Sequence, residues 1–401
     1  MNTADDLSWM RVLFTTIPGI SSLHSLAPLA SAMASAGADV AVASSASFEP
    51  WVSRAGFRAL PAGLDWVESY GPPRPLPAED MDAGARRKFF IETVLRELPA
   101  PFARDLLDGF ESWRPDLVIH GQSECGGPLA ARAAGVPSVT LSGISFDTWR
   151  DLLEPNLHLV AEAAGDLGMT LPDGSGWLFE LAFLSREPAG WCTRSDLLPE
   201  GTIPLRPVPF DATDGETSIM TDLVGSVVYL TLGTVLNRMG RYRFKALIEA
   251  VAGEPYTAVL TIGASGDPDS LGPLPPNVRV ATYIPNTALL PRCAAVVSHA
   301  GWNTVLGAIM AGAPQVCLPM GADQPHNAAR CEQLGIGVSL TEVDLAPDAI
   351  RQAIRTILSD ESYRTRTMAI RDDTVANCLA PEDAARRLAA LLPASRPGKV
   401  S

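Results

Sequence analysis

The sequence predicts an α/β protein of two doubly wound domains facing a central cleft, and three observations carry that reading. Short apolar runs alternate with segments of helical spacing, glycines close those segments, and a Pro-rich extended stretch, Ile203-Pro-Leu-Arg-Pro-Val-Pro-Phe210, separates two such series. In the first series Arg11-Val-Leu-Phe-Thr15 is a strand entering a turn with Pro18 and Gly19. Leu26, Leu29, Ala30 and Met33 then recur at helical spacing, Gly37 ends the helix, and Asp39-Val-Ala-Val-Ala43 is a buried strand. The rhythm returns at Asp116–Ile119, a helix over 126–134, Gly135 as its stop and Val136–Thr140. Strand, helix, strand in this order implies a right-handed crossover and a parallel sheet.

Residues 65–85 are rich in Pro, Gly and acid. Residues 150–200 show no clear sheet periodicity; Trp149, Trp177, Trp191, Phe179 and Phe183 there either wall an apolar cleft or pack into the core. The second series comprises strands at 227–232, 256–262, 278–282, 295–298 and 315–318. Phe244, Leu247, Ile248 and Val251 mark one helix, another follows Gly301, and several helices close the chain. Parallel strands point their carboxyl ends at the cleft, where such folds bind ligands.

With 401 residues, 47% hydrophobic and 19% charged, the composition excludes a disordered or disulfide-stapled chain. A net charge of −14 argues against nucleic acid or anionic lipid as partners, so any phosphate must be held by local geometry. The six cysteines are scattered without metal spacing and are read as reduced thiols of a cytoplasmic protein. The acidic start lacks signal-peptide character, and no apolar run reaches the roughly 18 residues of a membrane span.

The densest chemical signal is Ser298-His-Ala-Gly-Trp-Asn-Thr304 between a strand and an apolar helix. Gly301 lets backbone approach a ligand closely, and Asn303 and Thr304 sit where a helix N-terminus offers N–H groups and the positive end of its dipole. His299 can add a hydrogen bond to a phosphate oxygen; a helix cap beside a structural histidine is the plainer alternative. Leu232-Gly233-Thr234 ends another strand with a glycine and a hydroxyl. Tyr283 in Tyr283-Ile284-Pro-Asn286 can stack on a nucleobase or sit in the core, and Asp323 with Gln324 offers an acceptor and a donor for vicinal sugar hydroxyls.

In this order the motifs resemble those of GT-B-fold glycosyltransferases of the UDP-glycosyltransferase superfamily, most closely the actinobacterial natural-product branch. The residues that carry the likeness are Thr231-Leu-Gly-Thr234, Tyr283-x-Pro-Asn286, Leu289-Leu-Pro291, His299-Ala-Gly-Trp-Asn-Thr304, Gly312-Ala-Pro-Gln315, Pro319-x-x-x-Asp-Gln324 and Asn327-Ala328, with Arg206-Pro-Val-Pro-Phe-Asp211 as linker.

The resemblance implies two Rossmann-like domains: an acceptor domain over 1–208, a linker over 209–224, a donor domain over 225–378, and a closing helix over 379–401 that packs back across the interface. It gives Tyr283, Ile284 and Asn286 to the base, Gly233, Thr234, His299, Gly301, Asn303 and Thr304 to the nucleotide and diphosphate, and Asp323 and Gln324 to the sugar. Gly307 stands where many plant relatives carry a ribose-binding Glu, which leans toward a TDP rather than a UDP sugar. The implied reaction is inverting, metal-independent transfer of a (deoxy)sugar to a hydrophobic aglycone, with no cofactor beyond the sugar nucleotide; a homodimer is left open.

The sequence departs from the family in the acceptor domain. The general base normally lies in the first strand-to-helix turn, and the match puts Ser22 there; its usual acidic partner falls on Gly121. The acceptor must lose a proton as it bonds the anomeric carbon, and a general base typically supplies about 10²–10⁴-fold. His24 is two residues on, roughly 200° round the helix. Glu124 or His120 near the missing acid, an unusually acidic or nucleophilic acceptor, and Asp147 are the other readings. Ser22, His24 and Glu124 are thus the catalytic candidates, while His158 and His326 receive no role. The competing class is a glycosyltransferase-like nucleotide-binding partner of an active enzyme. A 2-epimerase lacks its acids, and no Gly-x-Gly-x-x-Gly supports an oxidoreductase.

Overall fold

The first apolar run becomes a strand buried from both faces, β1 (Arg11–Thr15), in the computed structural model, which describes residues 6–65, 83–212, 215–223, 225–233, 241–263, 266–341 and 346–392. A continuous apolar run of this kind suits the middle of a parallel sheet, and β1 pairs in parallel on both sides. Behind Gly19 the chain turns into α1 (Ile20–Ser35), which buries Leu23, Leu26, Leu29, Ala30 and Met33. Then follow β2 (Asp39–Ser44), α2 (Glu49–Arg54), β3 (Arg58–Pro61), α3 (Ala83–Glu92), α4 (Pro99–Phe110) and β4 (Leu117–Gly121). Next, α5 (Gly126–Ala134) ends in Gly135 at φ 63°, where the Val136 N–H closes on Ala131 O. The series continues with β5 (Ser138–Leu141), α6 (Phe146–Leu152), α7 (His158–Gly165), β6 (Ala182–Ser185) and β7 (Ile203–Pro204). The seven strands are parallel in the order β3-β2-β1-β4-β5-β6-β7.

The second sheet contains β8 (Val227–Thr231), β9 (Thr257–Thr261), β10 (Val278–Ala281), β11 (Cys293–Ser298), β12 (Gln315–Cys317) and β13 (Gly337–Ser339), all parallel in the order β10-β9-β8-β11-β12-β13. Its helices are α8 (Arg241–Val251), α9 (Asn286–Leu289), α10 (Trp302–Ala311), α11 (Gln324–Gln333), α12 (Pro347–Ser359) and α13 (Glu361–Asn377). One core forms where α8 and α12 bury Phe244, Leu247, Ile350, Ile354 and Ile357 against Val228, Leu230 and Val297. Finally α14 (Pro381–Leu391) packs against α1.

Contacts divide the chain into two compact units: Met1–Arg186 with Thr193–Arg206 and Cys378–Ser401, and Glu187–Cys192 with Pro207–Asn377. The stretch read as lacking sheet periodicity contains α6, α7 and β6, and Ile203–Pro204 of the Pro-rich run is the edge strand β7. The aromatic residues there are core rather than cleft wall. Trp149 lies within 6.0 Å of Phe146 and 5.3 Å of Phe179, centroid to centroid, Phe183 is fully buried, and Trp177 is buried nearby in sequence. Trp191 belongs to the second unit, edge-on to Trp302 at 5.2 Å. Among the described residues no helix is long and apolar enough to cross a membrane.

Candidate functional site

In each unit the strand order reverses once, between β1 and β4 and between β8 and β11, and at such a switch point neighbouring loops diverge and leave room for a ligand. Of the predicted residues of the second unit, Gly233, His299 and, at the start of α10, Gly301, Asn303 and Thr304 lie at its β8–β11 switch, Asp323 and Gln324 follow β12 next to it, and Tyr283, Ile284 and Asn286 follow the edge strand β10. After β8 the chain passes Gly233 at φ 76°, whose N–H bonds Thr231 Oγ1 at 3.3 Å; Thr234 lies outside the described residues. After β11, Ser298 Oγ accepts the Ala300 N–H at 3.1 Å, and Ala300 takes a left-handed φ of 61°. For a residue with a Cβ that conformation is strained, and it persists because the surroundings fix it. Ala300 is fully buried and its carbonyl accepts Asn327 Nδ2 at 2.9 Å.

This turn delivers the His299 ring into a slot between two glycines. A Cβ on Gly233 would sit 2.5 Å from His299 Cε1, and one on Gly301 would strike Nε2. The ring fits there because neither glycine has a Cβ, and its buried Nδ1 has no hydrogen-bond partner among the described residues. Burial pushes the imidazole down to about 4, so it is neutral near pH 7 and carries one N–H to give. An unsatisfied buried polar atom of this kind suits a site completed by a ligand.

Gly301 is the N-cap of α10 and provides no side-chain cap, and no acid follows in the first turn. Asn303 and Thr304 are half-buried there. Asp323 and Gln324 both face protein partners. Gln324 Oε1 accepts the N–H groups of Met320 at 2.8 Å and Gly321 at 3.2 Å, which leaves its Nε2 as the donor. Asp323 Oδ2 accepts Asn327 Nδ2 at 2.7 Å; burial raises its carboxyl, opposed by Asn327 and the Trp302 N–H.

At the end of β10 the Tyr283 ring is half-buried and its hydroxyl donates to Asp211 Oδ1 at 2.5 Å. Asn286 is half-buried, and its Oδ1 has no partner among the described residues. The Ile284 side chain lies in the core with Val259 and Leu289, so only its backbone can face a base. Sequence reasoning gave no role to Asp211, Asn327 or Ser298. All three stood inside quoted motifs, but Asp211 and Asn327 act by contact over distance, which periodicity does not carry, and Ser298 by a turn bond to the Ala300 N–H.

In the first unit Glu124, which follows β4, is buried. Its Oε2 accepts Thr15 Oγ1 at 2.5 Å, and its Oε1 accepts the N–H groups of Gly126 at 2.5 Å and Gly127 at 2.9 Å. Burial pushes the carboxyl up to about 7, against the pull of these donors. A Cβ on Gly127 would collide with Thr15 Oγ1 and Glu124 Oε2, so the glycine lets β1, the carboxylate and α5 close together. Ser22 and His24 lie in the opening turns of α1, both half-buried. His120 is sealed in the sheet against Thr140 Oγ1 at 3.0 Å, with burial pushing it down to about 4. Burial raises the Asp147 carboxyl, but Thr193 and Arg194 outweigh that and hold it low.

A glycosyltransferase is the class that this fold and site define, and comparison with known proteins agrees. Profiles described as the N-terminal and C-terminal domains of erythromycin biosynthesis protein CIII-like proteins match residues 31–151 and 246–391. The L-demethylnoviosyl transferase of Streptomyces niveus is 34% identical over 90% of this chain and 96% of its own. The 3-alpha-mycarosylerythronolide B desosaminyl transferase of Saccharopolyspora erythraea is 28% identical over 92% and 95%. Among solved structures, SnogD from Streptomyces nogalater superposes with a TM-score of 0.74 at 29% identity, covering 96% of this chain and 99% of that one. VinC in complex with DTDP gives 0.78 at 24%, over the same shares. The chain belongs to the EryCIII-like family of GT-B natural-product glycosyltransferases.

Proposed function

We propose that the protein is an inverting glycosyltransferase that moves a deoxysugar from a TDP-sugar to a hydrophobic aglycone without a metal ion. The observation that carries the donor half is the His299 ring clamped between Gly233 and Gly301 beside the uncapped start of α10. Dipole and N–H groups there stabilise a leaving diphosphate, the work a divalent cation does elsewhere. A thymidine nucleotide is favoured because Gly307 offers no acid for a ribose diol, and a Cβ there would lie 2.7 Å from Leu290 Cδ1. The relatives named for desosaminyl and demethylnoviosyl transfer support a deoxysugar.

The acceptor proton goes to His24. Glu124, with both oxygens bonded, clamps β1 to α5 instead of reaching for substrate, and Ser22 has no base of its own beside it in sequence. Turnover of a TDP-sugar in EDTA, measured for wild type and His24→Ala, tests this reading. The expected result is undiminished wild-type turnover and a kcat lower by about 10²–10⁴-fold in the variant with TDP affinity retained. Activity that magnesium alone restores, or an unaffected variant, contradicts it.

A further inference from the structure

We propose that Asp211, aided by Gly215 and Glu216, positions the nucleobase subsite by locking the Tyr283 ring in one orientation. The proposal rests on the nucleotide reading above, in which Tyr283 meets the base. Asp211 is far from the β10–α9 turn in sequence, yet both its oxygens serve that turn. Oδ1 accepts the Tyr283 hydroxyl at 2.5 Å and the Asn286 N–H at 2.9 Å, and Oδ2 accepts the Thr287 N–H at 2.9 Å. One carboxylate thereby fixes the tip of the aromatic side chain and the backbone just beyond it.

Glu216 holds the other end of the turn. Its Oε1 accepts Thr282 Oγ1 at 2.7 Å and the Thr282 N–H at 3.2 Å, while its own N–H bonds Tyr283 O at 3.0 Å. Gly215 lies against the ring at φ 54°, where a Cβ would stand 2.7 Å from Pro285 Cδ and 2.9 Å from Tyr283 Cδ1. A half-buried tyrosine on a loop would otherwise sample several rotamers, and ordering it on binding would weaken the complex. Two carboxylates and a glycine that restrict the same turn remove that cost beforehand. None of the three needs to touch the nucleotide, so their effect is confined to ligands that carry a base.

The test is titration of TDP and of inorganic pyrophosphate into wild type, Asp211→Ala, Tyr283→Phe and the double variant, with thermal melting as a fold control. Loss of a charged hydrogen-bond network should weaken TDP binding by about 10- to 100-fold in Asp211→Ala. Pyrophosphate binding should stay within about twofold, and the double variant should lose less than the two single losses combined. Should Asp211→Ala not fold, Tyr283→Phe keeps the ring and removes only the tie, and the same contrast between TDP and pyrophosphate applies to it. Unchanged TDP affinity, or equal losses for both ligands, overturns the brace alone. Wild type that binds pyrophosphate but gains nothing from the base overturns the base reading and the brace together.

Discussion

At the scale of single side chains, two buried groups of the first unit respond to pH in opposite directions. Glu124 is raised from 4.5 to about 7, so it stabilises the fold below 4.5 and loses that contribution as pH rises through 7. His120 is depressed from 6.5 to about 4, so its contribution is complete above 6.5 and is lost as pH falls toward 4. Between 4.5 and 6.5 the two nearly cancel. Glu124→Gln should therefore unmask the histidine: its stability should climb with pH in this window more steeply than wild type, by about 1.4 kcal/mol per pH unit. Denaturant melts of both proteins at several pH values measure this, and parallel curves would refute the protonation assignments. At this scale a motif in the sequence names His299 and Gly301, which the structure sets side by side. The sequence was silent about the role of Asp211, whose three bonds span 72 to 76 positions.

Among the elements, loops at strand ends carry the candidate site, and one residue ties two of them. Asn327, fully buried on α11, holds both the strained Ala300 turn and the Asp323 carboxylate. Asn327→Ala should lower stability by about 2–3 kcal/mol, since it leaves a buried carbonyl and a carboxylate short of donors, and should weaken TDP binding as the turn relaxes. A variant that melts like wild type would show that Ala300 needs no such support. Most elements could be read beforehand because apolar runs bounded by glycine stops leave few alternatives, as with β1, α5 and Gly135. The short strands β6 and β7 could not. Ala182–Ser185 is too brief for periodicity, and Ile203–Pro204 becomes a strand only because Leu184 and Ser185 offer it an edge.

For the molecule as a whole, a net charge of −14 means that the proposed nucleotide would be held against the long-range field. Binding through a helix terminus and a neutral histidine should then depend weakly on salt. The TDP dissociation constant should change by less than about tenfold between roughly 50 and 500 mM NaCl, where a basic-patch site would lose far more. A steep fall in affinity with salt would point to binding by a cationic surface and contradict this mode. The most direct test is calorimetric titration of TDP in EDTA into wild type and His299→Ala. The expected result is micromolar binding, about −8 kcal/mol, that His299→Ala abolishes. Absence of wild-type binding, or equal affinity in the variant, would contradict the donor site.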